Sequence, residues 1–467
     1  MLKKNDVYRV KVIDLNNLGF GVAKIEGITV FVGGAVDGDE IDARIILVNK
    51  TYAVARVEKM HIPSPHRINA PACKKVACGG CAYQSIRYAH EKELKQNYVR
   101  HAFLKVGFQN VSVAPVLSTD KTEGYRNKAQ YAVGADQNGK CIAGFYAPKT
   151  HRLVEAADCP LASPVFAPVV KTVIHYANEN GIAPYDEQAG KGTLRHIYLR
   201  TSSKGEILLT LVINQKTLAC EAALVKHLTE KHPNIVGIYL NINTQKTNVI
   251  CSDEYRHLWG EERLSDTLAG VPLLLSPASF YQVNRDAAEM LYLHGAREAG
   301  FDGSDDLLDL YCGVGSIGLS MVRAVRSLVG VEIVPSAVEC AKENAEKMGV
   351  KNARFFSADA GNVEKLIASL KNEDGTPYRP SAVVLDPPRK GCDAALLSFL
   401  AKDLKIPKIL YISCNPDTLA RDARMLSDFG YSLGTVTPVD LFPRTGHVES
   451  VVCLTRRLDN ELRERMN

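Results

Sequence analysis

The sequence predicts a multidomain α/β protein: a small N-terminal OB-like β-barrel, an α+β middle domain, and a C-terminal doubly wound, Rossmann-like domain. Three observations carry this prediction. Residues 7–58 alternate apolar and polar side chains with period two between glycine-marked turns. The segment HIPSPHRINAPAC, residues 61–73, places three prolines in a stretch with no periodicity, as a linker does. From about residue 276, apolar strand runs alternate with helical patterns, which is the sign of βαβ units around a parallel sheet. The resulting boundaries are 1–60, 61–275 and 276–467.

A chain of 467 residues exceeds what one core organises. Its 46% hydrophobic and 23% charged residues are ordinary for a globular protein. No run approaches the roughly 18 apolar residues of a membrane helix. The opening MLKKNDVYRV has no apolar segment behind its charges, so neither a secretory signal nor a membrane is expected. A cytoplasmic location follows, with no obligate protein partner evident. The 12 cysteines are then expected as reduced thiols, metal ligands or catalytic groups. A formal net charge of +5 permits a nucleic-acid partner without requiring one.

In the barrel, Tyr8, Val10 and Val12 alternate with Arg9 and Lys11, and Ile41, Ala43, Ile45 and Leu47 repeat the pattern. Residues 86–106 read as a helix whose Arg87, Lys92, Lys95, Arg100 and Lys105 form a basic, solvated face. The region from 120 to 275 reads as strands, KAQYAVGA, RHIYLRT, EILLTLVI and GIYLNI among them, with a helix around 164–180.

In the last domain each strand run ends in a residue with chemistry. The first enters DLYCGVGSIGLSM, whose Gly313, Gly315 and Gly318 bring backbone close to a ligand. The second ends at Glu332, about 20 residues on, where an acid accepts hydrogen bonds from ribose hydroxyls. A nucleoside-containing cofactor is indicated, either a dinucleotide or S-adenosyl-L-methionine. Asp309 before the turn favours the second, and Asp359 ends the third strand as a partner for the adenine amino group. The fourth strand ends in VVLDPPRKG, where two prolines fix the carboxylate of Asp386. The fifth ends in YISCNP, and the helix after Cys414 starts at Pro416 capped by Asn415 or at Thr418 capped by Asp417. In either case the helix N-terminus favours a Cys414 thiolate. Ligands bind outside the carboxyl ends of parallel strands, so Tyr311, Glu332, Asp359, Asp386 and Cys414 are expected along one edge. If the final HVESVVCLTR returns antiparallel, Glu449 joins them, and a thiolate beside a carboxylate suggests covalent catalysis with proton abstraction.

A second cysteine group, C-x4-C-x2-C at Cys73, Cys78 and Cys81, takes a fourth member from Cys159. Zinc and an iron–sulfur cluster both fit this spacing.

SFYQVN at 279–284, DLYCGVGSIGL at 309–319, DPPRKG at 386–391, SCNP at 413–416 and HVES at 447–450 together resemble the RNA uridine-5-methyltransferase family, in the TRAM-containing, iron–sulfur branch that acts on 23S ribosomal RNA. The resemblance implies that Cys414 attacks uracil C6, that Glu449 removes the C5 proton, and that Gln282, Tyr311, Glu332 and Asp386 contact S-adenosyl-L-methionine, with Gln282 or Asp386 alternatively orienting the uracil. It implies a [4Fe-4S] cluster on Cys73, Cys78, Cys81 and Cys159, with zinc as the runner-up. The N-terminal barrel looks like a TRAM domain that contacts RNA, and the substrate is expected to be a folded loop of 23S ribosomal RNA, from which the target base is flipped. GYRNKAQ at 124–130 also resembles a family segment and offers Arg126 and Lys128 to phosphates. The same resemblance allows residues 86–118 to pack on the catalytic domain. Transfer RNA as substrate, and a non-catalytic RNA-binding iron–sulfur scaffold, are the alternatives.

Overall fold

The computed structural model describes residues 2–372 and 374–457. Its N-terminal strands are Val7–Lys11, Asp14–Leu15, Phe20–Ile25, Ile28–Gly33, Glu40–Val48 and Tyr52–Ile62. The first two are halves of one bent strand. Val7–Lys11 pairs with Glu40–Val48, and Asp14–Leu15 pairs with Phe20–Ile25, so the sheet closes on itself. The inward period-two positions Val12, Ala23, Val30, Ile41, Ala43 and Ile45 are sealed in its core. The barrel docks on the helix Tyr88–Lys105 through a polar seam. There His90 meets Asp37 at 2.7 Å and Glu93 at 2.9 Å, and its ring stacks on His66 with centroids 3.6 Å apart.

The middle sheet has seven strands in the order Tyr255–Gly260, Ile235–Ile242, Ile207–Ile213, Leu194–Thr201, Lys128–Ala135, Cys141–Tyr146 and Leu153–Glu155. Helices Phe166–Glu179 and Glu221–Lys231 share its apolar core.

The C-terminal sheet runs Ala353–Ser357, Ser327–Glu332, Asp306–Leu310, Ala382–Leu385, Lys408–Ser413, Glu449–Arg456 and Tyr431–Leu433, with Thr437–Val439 also paired to Glu449–Arg456. The first five are parallel and Glu449–Arg456 is antiparallel to its neighbours. Separate apolar clusters cover its two faces, which is why its strands read as unbroken hydrophobic runs.

Two stretches fall outside the linear boundaries. The helix Tyr88–Lys105 lays Val99, Ala102 and Phe103 in one core cluster with Leu419, Ala420 and Ala423 of the helix Pro416–Asp428. Val113 and Leu117 then bridge to Val436 and Val439, so residues 86–118 pack on the catalytic sheet. The hairpin Leu264–Leu268/Val271–Leu275 also buries its apolar side chains in that domain's core, ahead of residue 276. Nor is the basic face of the first helix wholly solvated. Lys95 is 1% exposed and ion-paired at 2.7 Å to both Glu91 and Asp440, because this side of the helix faces the catalytic domain and not water. Among the described residues no helix is long and apolar enough to cross a membrane.

Candidate active site

Because five strands run parallel, the residues that follow them emerge on one edge: Tyr311, Glu332, Asp359, Asp386 and Cys414. The antiparallel strand brings a sixth. Ser413 and Ser450 form the last pair of these strands, so Cys414 and Glu449, the next residue on each, both adjoin it at the edge.

The glycine turn is shaped by Asp309. One carboxylate oxygen accepts the Gly318 N–H at 2.9 Å, and a Cβ on Gly318 would lie 2.6 Å from that oxygen, so glycine alone lets the helix approach. The other oxygen is buried with no hydrogen-bond partner among the described residues, and burial raises the carboxyl to about 7. Glu332 accepts the Gly313 N–H at 3.1 Å and the Val334 N–H at 2.9 Å. Gly313 has φ +55°, and a Cβ there would meet nothing within 4 Å, so the turn fronts open space. Tyr311, at φ +65°, sits in the left-handed region and turns its phenol to Cys392. Asp359 is exposed and caps its own turn through the Gly361 N–H at 2.9 Å. Gln282 is tied in through its carbonyl, which accepts from the Asn127 side chain at 2.9 Å. Acidic acceptors around a glycine-fronted space fit a cationic, hydroxyl-bearing nucleoside ligand.

On the chemical side, Asn415 caps the helix Pro416–Asp428 by accepting the Asp417 N–H, which selects the first of the two expected starts. The Asn415 side chain also donates to the Arg389 carbonyl at 3.1 Å, and Asp422 accepts the Cys392 N–H at 2.9 Å. These bonds strap the DPPRKGC loop beside Cys414. The expected thiolate is not the resting state, however. Burial, then Glu449 and Asp386, push the Cys414 thiol up to about 11, and Arg389 only partly opposes them. Desolvation next to two acids outweighs the helix terminus. Glu449 is 6% exposed and raised to about 8, by burial first and by Asp386 second, with Arg389 opposing. Burial alone raises Asp386 to about 7. A thiol and an acid that hold their protons near neutrality, beside a second acid that titrates there and raises both, make a site poised for proton exchange.

Comparison with known proteins fixes the class of this chemistry. The family described as tRNA (uracil-5-)-methyltransferase matches residues 87–457, and the TRAM domain matches residues 2–57. The chain belongs to the RNA uracil-5-methyltransferase family. It is 38% identical to an RNA methyltransferase of Halalkalibacterium halodurans over 97% of this chain and 98% of that one. It is 36% identical to an RNA methyltransferase of Clostridium tetani, over 97% of each. Among solved structures, Pyrococcus abyssi tRNA (uracil-54, C5)-methyltransferase in complex with S-adenosyl-L-homocysteine superposes with a TM-score of 0.75 and 26% identity, covering 96% of this chain and all of that one. S-adenosyl-L-methionine is therefore the methyl donor and RNA the partner of this uracil-5-methyltransferase, whose barrel is a TRAM domain.

Away from the strand edge, the four cysteines of the second group are electrostatic neighbours. Burial, then Cys159 and Cys78, push the Cys81 thiol up to about 12. Donors already point at the sulfurs. The Lys75 N–H reaches Cys73 Sγ at 3.4 Å, and the Leu161 and Ala162 amides donate to Cys159. The methyltransferase also places a cation there, which corrects one expectation. The Arg126 guanidinium is not presented to phosphates but lies by Cys81 and Cys159, with Nε buried and unpartnered among the described residues. Lys128 is half-buried on its strand, where desolvation and Arg200 lower its pKa. Amide donors and a buried cation around four thiols fit thiolates that carry a metal group.

Sequence reasoning passed over Tyr292 and Arg389. Tyr292 is fully buried against the Gln282 and Ser316 side chains with Asp386 and Glu449 nearby, yet in sequence it is one apolar position of a helix. Arg389 supplies the cation that opposes the raised values of Cys414 and Glu449, and its place inside DPPRKG was the available signal.

Proposed function

We propose that this methyltransferase forms 5-methyluridine in 23S ribosomal RNA through a covalent bond between Cys414 and uracil C6. The observation that carries this reading is that Cys414 and a buried Glu449 adjoin the last pair of the antiparallel strands, where the acid raises the thiol's pKa. Uracil C5 is too weak a nucleophile to be methylated unaided. Cys414 loses its proton to solvent and adds to C6 as the thiolate, which places the negative charge on the uracil enolate and makes C5 a carbon nucleophile. When bound, S-adenosyl-L-methionine supplies an electrophilic methyl group on its sulfonium. Glu449 then takes the proton from C5, and breakage of the C6–S bond restores the ring and frees Cys414. Gln282, Tyr311, Glu332, Asp359 and Asp386 hold the donor and orient the uracil.

Cys73, Cys78, Cys81 and Cys159 would hold a [4Fe-4S] cluster in a structural role, since methyl transfer moves no net electrons. Anaerobically purified protein is then expected to be brown and to contain iron and sulfide, whereas a colourless protein with stoichiometric zinc rejects that assignment.

The raised acids set a pH dependence. A base whose pKa is raised to about 8 is mostly protonated at pH 6, so kcat, which includes the proton abstraction that follows methyl transfer, is expected to climb from pH 6 to 9. A profile already flat at pH 6 would remove Glu449 from that role.

The substrate assignment is tested by mapping 5-methyluridine in ribosomal and transfer RNA from a deletion strain. Loss from 23S ribosomal RNA supports the reading. Loss from transfer RNA alone favours the substrate named for the Pyrococcus abyssi structure.

A further inference from the structure

We propose that the tripeptide Tyr125–Arg126–Asn127 couples the four-cysteine site to the catalytic base, with the Tyr125 hydroxyl as a positioning residue for Glu449; this rests on the reading of Glu449 as the base. The three residues make contacts in different directions, and the Arg126 guanidinium also hydrogen-bonds the Tyr125 side chain. Arg126 is bound through its backbone to the loop that carries Cys159: its N–H donates to the Leu161 carbonyl at 2.9 Å and its carbonyl accepts the Ser163 N–H at 2.9 Å. Its guanidinium lies by the thiols of Cys81 and Cys159. Tyr125 is 4% exposed and donates its hydroxyl to the Pro443 carbonyl at 2.9 Å. Asn127 donates its backbone N–H to the Val283 carbonyl at 2.8 Å and its side chain to the Gln282 carbonyl at 2.9 Å.

Pro443 belongs to the loop that leads into Glu449, and the cysteine site grips this loop from a second side. Two residues after Cys81, the Tyr83 N–H donates to the Arg444 carbonyl at 3.0 Å. Arg444 has φ +68°, a conformation that a non-glycine residue keeps only when its surroundings impose it. The Glu91 carboxylate accepts the Arg444 N–H at 2.8 Å, and the Ile86 carbonyl accepts from its guanidinium at 2.9 Å. Both arms of the cysteine site thus end on consecutive carbonyls, at Pro443 and Arg444, a few residues before Glu449 in sequence. A buried acid at a strand start has its position fixed by the loop before it, and small displacements of a proton acceptor are costly. This gives a redox-silent metal group a use in methyl transfer: held open or misfolded, its loop releases the segment that aims the base.

The test is Tyr125→Phe in the full-length, metal-loaded enzyme, which removes one hydroxyl and no ligand. Expected are unchanged iron and sulfide content, unchanged KM for RNA and S-adenosyl-L-methionine, and a kcat lowered about 10–100-fold. Covalent RNA adduct is expected to accumulate on denaturing gels, and backbone amides 444–449 to exchange with deuterium faster than in wild type. Wild-type kcat with unaltered exchange overturns the proposal. So does a rise in KM for RNA without adduct, which would make Tyr125 an RNA-binding residue. Should Tyr125→Phe fold poorly, exchange at amides 444–449 of the wild-type enzyme, compared before and after chelation of the metal, decides: no change overturns the coupling. Failure of Glu449→Gln to accumulate adduct would instead sink the reading of Glu449, independently of Tyr125.

Discussion

Cys414→Ser is expected to lower 5-methyluridine formation by about 10⁴-fold or more while leaving S-adenosyl-L-methionine binding intact. The serine keeps the size of the side chain, and the cofactor-side residues belong to other strands, so the fold and the donor site are preserved. What is lost is the C6 nucleophile. A hydroxyl is a far worse one than a thiol because it is much less acidic and less nucleophilic, and here Glu449 and Asp386 add to the cost of a new negative charge. The measurement is methyl transfer from labelled donor to RNA, alongside calorimetry of donor binding. Activity within tenfold of wild type would exclude a covalent route and leave direct methylation.

Glu449→Gln is expected to separate the two halves of the reaction. Addition of Cys414 and methyl transfer need no base at C5, so they proceed, whereas release does not. Turnover should fall about 10²–10⁴-fold, the usual contribution of a positioned base, and protein–RNA adduct should accumulate. A side effect on stability follows from the carboxyl being raised from 4.5 to about 8 in the folded state. The folded protein holds a proton that the unfolded chain has lost. The stability tied to that proton is therefore full below pH 4.5 and drains away as pH rises to 8. A neutral amide at this position carries no such penalty, so the variant should gain more in Tm at pH 8 than at pH 5.

Much of the site could be read in the sequence because a parallel sheet is itself a positioning device. Once the apolar runs are taken as strands, whatever follows each of them must share an edge, which brings Tyr311, Glu332, Asp386 and Cys414 together without any side-chain geometry. Glu449 needed one more step, the antiparallel return. What stayed hidden depends on the third dimension. The burial that makes Cys414 a thiol at rest comes from Glu449, Asp386 and the surrounding fold, and no local pattern reports it. Lys95 looked solvated because helical periodicity shows a polar face but not whether Asp440 of the catalytic domain covers it. Arg126 looked like a phosphate ligand because a basic residue near RNA-binding motifs has that default, and only the approach of Cys159 from a distant loop turns it inward. The hairpin at 264–275 falls on the wrong side of the boundary at 276, and the early helix joins the catalytic core as the family resemblance allows, because the chain visits the catalytic domain twice and linear boundaries cannot express that.

The most direct test of the covalent account is mass spectrometry of the complex trapped with Glu449→Gln and digested with trypsin and ribonuclease. The account predicts a nucleotide bearing an extra methyl group, attached through the peptide that contains Cys414. An adduct on any other residue, or full turnover with no adduct at all, would contradict it.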